Sequence, residues 1–230
     1  MANQISKERG WTLEPIWYDT YWKFGKTRRV IRDMATNPES AGESSWGTRN
    51  LLYAITVSVK PEFVLEIGAH IGSASVAIAS GLKRNNYGKL ISLEPADHYY
   101  DLANNYLKRA QLGKYVELKK LFSTDSSIKE KFKKKFQVIF LDANHSYSHA
   151  YKDLELAWSW LADDGILIID DVGEEMAKQQ CEEQRGGVRQ ALIDFAEANG
   201  SISYTILEHP IWLNPCGIAI LTKRSNEVDL

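Results

Sequence analysis

The run ILIIDDV, residues 166–172, places four apolar residues directly before two adjacent carboxylates, Asp170 and Asp171. Unpaired carboxylates are costly to bury, so a buried strand ending in two of them needs a cation, a basic side chain or open water beside it. A third acid stands in a similar place. FLDANHSY sets Asp142 at the end of another apolar run, with His145 three residues further on. If the two runs are neighbouring parallel strands, their carboxyl ends line one rim, where ligands bind in such sheets. Three carboxylates converging there would repel one another and shift their pKa values. A hard divalent cation such as Mg2+, which takes carboxylate and water oxygens and leaves room for substrate, resolves that repulsion. Asp142, Asp170 and Asp171 are therefore the expected metal ligands. Successive strand residues point to opposite faces, so Asp170 and Asp171 reach one ion only if the strand stops at Asp170. The competing structural reading gives Asp170 or Asp171 a helix cap and Asp142 a backbone hydrogen bond, roles in which aspartate is common. His145, whose intrinsic pKa lies near neutrality, is a candidate base. His149, four residues along, reads as solvated.

VLEIGAHIG places Gly68 and Gly72 between a strand and a helix. Glycine there permits a tight turn and lets a ligand approach the backbone beside the positive end of a helix. The spacing is GxxxG, which departs from the GxGxxG dinucleotide fingerprint and makes a nicotinamide-dependent oxidoreductase a distant reading. The next strand ends in Glu94, where an acid can accept hydrogen bonds from both hydroxyls of a ribose. Glycine turn and acid together point to a nucleoside ligand.

These residues need a parallel sheet to position them, and the chain supplies the pattern. FVLEIG (63–68), LISLEP (90–95), YVELKKL (115–121), FQVIFLDA (136–143) and GILIIDDV (165–172) are strand candidates. Between them SASVAIASGLKR, DHYYDLANNYLKRAQ, STDSSIKEKFKKK and SHAYKDLELAWSWLADD are each long enough for a crossover helix. Such alternation implies βαβ units and a doubly wound α/β sheet covered on both faces. The tail changes pattern: residues 186–200 read as a helix closed at Asn199-Gly200. ISYTILEHP and GIAILTKR then read as an antiparallel strand pair at the sheet edge, giving seven strands. Residues 1–43, crowded with Trp11, Trp17, Tyr18, Tyr21 and Trp22, read as a helical arm, and residues 44–230 as the ligand-binding domain. In KEKFKKKF, Ile128, Phe132 and Phe136 recur every four residues, which suits a solvated helix with one buried face better than a nucleic-acid patch.

The 28 basic and 30 acidic residues nearly cancel, so no global attraction to nucleic acid or anionic membrane is expected. Two cysteines, Cys181 and Cys216, lie far apart without a CxxC, which argues against a disulfide framework or thiolate zinc site and fits a reducing compartment. No leader segment or membrane span is legible, so the chain is expected to be soluble and cytoplasmic.

ExGxxxG on the first strand with an acid ending the second resembles the class I S-adenosylmethionine-dependent methyltransferases, over roughly residues 44–224. That resemblance implies a Rossmann-like sheet in which Glu66, Gly68 and Gly72 shape the methionine side of the cofactor pocket. By the same likeness Ser73 lies near the amino-acid end, Glu94 holds the ribose, and LFSTD (121–125) meets adenine. There Phe122 is a stacking or edge surface, or else ordinary core, and Ser123 a hydrogen-bonding hydroxyl. Asp142 counts with the cofactor contacts as well as the metal ligands. One acid after the fourth strand and an acid pair after the fifth are similar to the metal site of catechol-type, Mg2+-dependent O-methyltransferases. Asp142-Ala143-Asn144-His145 also resembles the D-x-x-H of a related, macrocin-type branch that methylates hydroxyls on sugars and other natural products. The catechol enzymes carry lysine where His145 stands and usually asparagine where Asp171 stands, so the likeness favours the natural-product branch.

The resemblance implies a Mg2+-dependent O-methyltransferase acting on a small-molecule hydroxyl, with S-adenosylmethionine as donor and His145 and Asp142 as catalytic residues. Acceptor walls are expected from the aromatic arm, Trp46 and Trp212, and the same aromatic residues suit the interface of a homo-oligomer. Two alternatives stand beside it: a metal-independent methyltransferase using His145 as base, and a catalytically silent subunit that binds the donor and transfers nothing.

Overall fold

Continuous apolar runs are buried on both faces when they become central parallel strands, and that is where this chain puts them. The computed structural model describes residues 25–40, 43–184, 186–200, 202–209, 211–212 and 216–224. Strands β1 (Phe63–Ile67), β2 (Lys89–Leu93), β3 (Val116–Lys119), β4 (Phe136–Leu141), β5 (Leu161–Asp170), β6 (Tyr204–Leu207) and β7 (Ile218–Thr222) form one sheet in the order β3-β2-β1-β4-β5-β7-β6. The pairs among β1 to β5 are parallel, and β7 runs antiparallel to both β5 and β6. The strand order reverses between β1 and β4, the switch point at which such sheets open a ligand crevice.

Helices cover both faces. Helices α1 (Gly25–Ala35), α2 (Trp46–Val59), α3 (Ser73–Asn85) and α4 (Asp97–Arg109) pack over Val64, Val138, Phe140 and Ile168. Beyond the short α5 (Ser126–Lys129), helix α6 (Tyr147–Trp160) and, after α7 (Glu174–Gln184), helix α8 (Gly187–Ala198) pack over Leu65, Ile139, Leu167 and Ile169. Alternate residues of each strand thus feed opposite layers, as the period of two requires. Ser45 caps α2 by accepting from the Thr48 amide at 3.1 Å, and bonds from Ser44 to Asp142 and from Thr48 to Asp170 set the start of that helix at the rim where β4 and β5 end. Among the described residues no helix is long and apolar enough to cross a membrane.

Two elements differ from the sequence pattern. LADD, read as the end of a helix, opens β5 instead: Leu161 pairs with Phe136, and the next partners are Ile166 and Val138. The intervening residues form a bulge with Asp164 at φ +62, and Asp-Asp-Gly is chemistry suited to such a turn. The segment 123–135, read as a full crossover helix, keeps only α5. Ile128, Phe132 and Phe136 are buried as their spacing requires, but the chain leaves the helix after Lys129 and turns left-handed at Lys134. Five lysines between 129 and 135 would repel one another along a helix. Of the aromatic arm, the described part is α1 and the 3-10 turn Pro38–Ser40; Trp11, Trp17, Tyr18, Tyr21 and Trp22 lie outside the described residues.

Candidate active site

The turn after β1 is built on a close approach. Gly68 has φ +93, and a Cβ there would stand 1.9 Å from the carbonyl oxygen of Asp142, so this position holds the β1 and β4 loops together. Gly72, φ +90, starts α3, where a side chain would press on Ala103 of α4 at 3.1 Å. Between them His70 also adopts a left-handed backbone, φ +49. Its amide donates to Glu94 Oε2 at 2.8 Å, and the Ala96 amide donates to Glu94 Oε1 at 2.9 Å. Two backbone donors therefore fix the Glu94 carboxylate, which keeps acceptor capacity on both oxygens. The His70 ring packs on Tyr99 with centroids 4.3 Å apart, its Nδ1 is buried without a partner, and burial lowers its pKa.

Glu66 lies beneath this turn, fully buried. Its Oε2 accepts from the hydroxyls of Ser75 and Ser92, and its Oε1 has no hydrogen-bond partner. Burial pushes its pKa up to about 7; the two serines oppose the rise, and the charges of Asp142 and Glu94 add to it.

The acids gather one loop away. β5 stops at Asp170, and Asp171 turns to φ +63, so the condition for both side chains to approach one rim is met by the backbone. One nitrogen or oxygen from each of Asp142, His145 and Asp171 lies within 4.8 Å of the others. His145 Nε2 donates to Asp171 Oδ2 at 2.7 Å, and Ser44 Oγ donates to Asp142 Oδ2 at 2.7 Å. Asp170, 4% exposed, stands beside this trio rather than in it: its Oδ1 accepts from the Asp171 amide at 3.1 Å, and Thr48 also bonds to it. A cavity of about 10 Å³ lies among Asp142, His145, Asp170, Asp171 and Val188, the size of one small probe sphere. It adjoins a larger cavity of about 190 Å³ lined by Ser44, Gly68, His70, Ser73, Asp142 and His145.

Electrostatics strains the cluster. Asp142 keeps partial access to solvent, yet the protein packed around its carboxylate raises its pKa to about 7, and the Asp171 charge adds to the rise. Asp170 is raised well above the usual carboxylate range by burial first, then by Asp142 and Asp171. His145 is raised mainly by its bond to Asp171, against the effect of burial. Three carboxylates sharing a single imidazole are short of positive charge. Two carboxylate oxygens and an imidazole within 4.8 Å, beside an ion-sized cavity, fit a divalent cation; the nitrogen donor suits Mn2+ and other transition ions as well as the oxygens suit Mg2+.

The remaining expected contacts spread along the same rim. Ser73 is buried at the first turn of α3. Phe122 is 67% exposed, which excludes the core reading of that side chain. Ser123 donates its hydroxyl proton to Asp153 of α6, leaving its oxygen as an acceptor. Trp212 lies against Gly47 in the first turn of α2, and Trp46 is 42% exposed under the Arg49 guanidinium, 4.2 Å from its ring centroid. Sequence reasoning missed Ser44, His70 and Asp153. His70, set between the two glycines of the turn, carried a signal; Ser44 and Asp153 join the site through tertiary contacts, and nothing in their local pattern marks them.

A family model described as a methyltransferase domain matches residues 65–172, the stretch from β1 through the end of the acid pair. Among curated proteins none matches the sequence. Solved structures of similar fold include the O-methyltransferase from Bacillus cereus in complex with SAH, at 22% identity and TM-score 0.74, covering 97% of this chain and 100% of that one. SAH-bound PaMTH1 from Podospora anserina is similar at 19% identity and TM-score 0.68, covering 98% and 95%. The O-methyltransferase TomG from Streptomyces achromogenes, involved in tomaymycin synthesis and solved with SAM, is similar at 17% identity and TM-score 0.67, covering 97% and 96%. Over residues 65–172 the chain is thus similar to a methyltransferase domain, and its sheet shares the fold of these solved structures.

Proposed function

We propose that this protein is a divalent-cation-dependent O-methyltransferase that moves the methyl group of S-adenosylmethionine to a hydroxyl of a small-molecule acceptor. The observation that carries the reading is the meeting of Asp142, His145 and Asp171 beside a cavity that shares Asp142 and His145 with the glycine turn. Asp142 and Asp171, with His145 or Asp170 completing the set, would hold the cation. When bound, such an ion supplies Lewis-acid stabilisation of the negative charge that develops on the acceptor oxygen.

The chain's own groups do the rest. Glu94, fixed by the amides of His70 and Ala96, accepts from the ribose hydroxyls. Phe122 offers its exposed ring to the adenine, and the Ser123 oxygen accepts at its edge. Ser44 holds the Asp142 carboxylate in place beside the cavity. Where Asp170 completes the cation's ligands, His145 remains as the base, and its bond to Asp171 stabilises the imidazolium formed when it takes the acceptor's proton. The acceptor is a sugar-bearing or phenolic natural product, a class supported by the involvement of TomG in tomaymycin synthesis and by Trp46 and Trp212 at the first turn of α2. A homo-oligomer working in the cytoplasm belongs to the same proposal.

Methyl transfer to a panel of phenols and glycosides, measured in excess chelator and after adding back Mg2+, tests the metal requirement; undiminished turnover in chelator would refute it. The His145–Asp171 pair itself favours a second reading, in which His145 acts as base without a cation. Asp142→Asn separates the two, since Asp142 belongs to the cation's ligands in either set and is not bonded to His145. The cation reading expects near-total loss of activity, and the base-only reading expects most activity to remain.

A further inference from the structure

Asp171 is a non-glycine residue in left-handed backbone, φ +63, a state that persists where the surroundings over-determine it. The three residues after it supply that constraint. The Val172 carbonyl accepts from Arg189 Nη1 at 2.9 Å, the Gly173 amide donates to the Cys216 carbonyl at 2.6 Å, and the Glu174 amide donates to Glu208 Oε2 at 2.8 Å. Arg189 and Glu208 are themselves joined, Nη1 to Oε2 at 2.8 Å and Nη2 to Oε1 at 3.4 Å. One arginine–glutamate fork therefore serves two of the three anchors. The helix that carries Arg189, α8, also reaches the other loop: Tyr147, two residues past His145, donates to Asp194 Oδ2 at 2.6 Å, and Gln190 donates to Asp194 Oδ1 at 2.7 Å. Val188, on the same helix, lines the small cavity among the acids.

We infer that α8 is the common footing of the two acid-bearing loops, and that Arg189 is a positioning residue which, through Val172 and Glu208, fixes the turn that aims Asp171 at Asp142 and His145. The inference rests on the cation reading above. Arg189 is not in the trio; it acts by holding the backbone from which Asp171 projects. Its planar fork bonds a carbonyl and a carboxylate in fixed directions, which a lysine cannot reproduce. Groups that orient metal ligands in this way are commonly worth 10- to 100-fold in metal affinity.

The test titrates MgCl2 into the full chain by calorimetry, for the wild type and for Arg189→Met, which keeps the apolar stem and removes the fork. S-adenosylhomocysteine is titrated into the same two proteins. The expected result is Mg2+ binding weakened about 10-fold or more, with S-adenosylhomocysteine affinity changed by less than about twofold. Equal Mg2+ affinity in the two proteins would overturn the inference and leave the cation reading standing. Parallel weakening of both ligands would also overturn it, since that marks general loosening. A wild type that binds no Mg2+ removes the cation reading and the inference together. If Arg189→Met does not fold, Glu208→Gln gives the same readout with an intermediate loss expected, and an unchanged Mg2+ affinity there counts against the inference.

Discussion

At the scale of single residues, the site is made of groups held in states they would not adopt in water. Glu66 is the clearest case. Its ordinary pKa of 4.5 becomes about 7 in the folded chain. A carboxyl so raised binds its proton more tightly in the folded state, so its contribution is fully present below about pH 4.5 and is lost as pH rises to about 7. The cost above that range is about 3 kcal/mol. Glu66→Gln removes it while keeping an acceptor for Ser75 and Ser92. The variant should therefore gain stability relative to wild type between pH 4.5 and pH 7, followed by urea unfolding at several pH values. A difference independent of pH would contradict this account of Glu66. Gly68 carries a steric prediction. Gly68→Ala places a methyl against the Asp142 carbonyl in a backbone that disfavours it, and should cost at least about 2 kcal/mol in the same measurement.

Elements set how much of this can be read from sequence. β1, β2, β4 and β5 were legible because central parallel strands are continuous apolar runs, and their sequential spacing placed Asp142 and the Asp170-Asp171 pair on one rim. LADD was misread because a helix end and a bulged strand start share the same polar composition; the pairing of Leu161 with Phe136 decides between them. The lysine run kept its apolar spacing but not its helix, since charge repulsion acts on a period that apolar residues do not reveal. Within the site, the glycine turn and Glu94 could be found from local pattern. Ser44, the bond between His145 and Asp171, and the Arg189–Glu208 fork could not, because each joins residues distant in sequence. Trp160 illustrates the packing beneath α6 at the start of β4 and β5: it is 1% exposed, edge-on to Phe132, and bonded to the Lys129 carbonyl. Trp160→Ala should lower the unfolding free energy by about 3–5 kcal/mol, read from denaturant midpoints. A loss under about 1 kcal/mol would mean that the layer under α6 does not depend on it.

For the molecule as a whole, the arrangement is one of charge brought together against its own repulsion. A sheet covered on both faces delivers the ends of β1, β2, β4 and β5 to a single edge, and with them Glu94, Asp142, Asp170 and Asp171. The near balance of charge over the chain makes this concentration of acid local. A doubly charged ion at that edge would relieve it and would bring an electrophilic centre next to the cavity that the glycine turn opens. The most direct measurement is an anomalous difference map from crystals of the full chain grown with Mn2+ and S-adenosylhomocysteine. The account predicts one strong peak within bonding distance of carboxylate oxygens from both Asp142 and Asp171. A map with no peak there, and those two side chains turned away from each other, would contradict it.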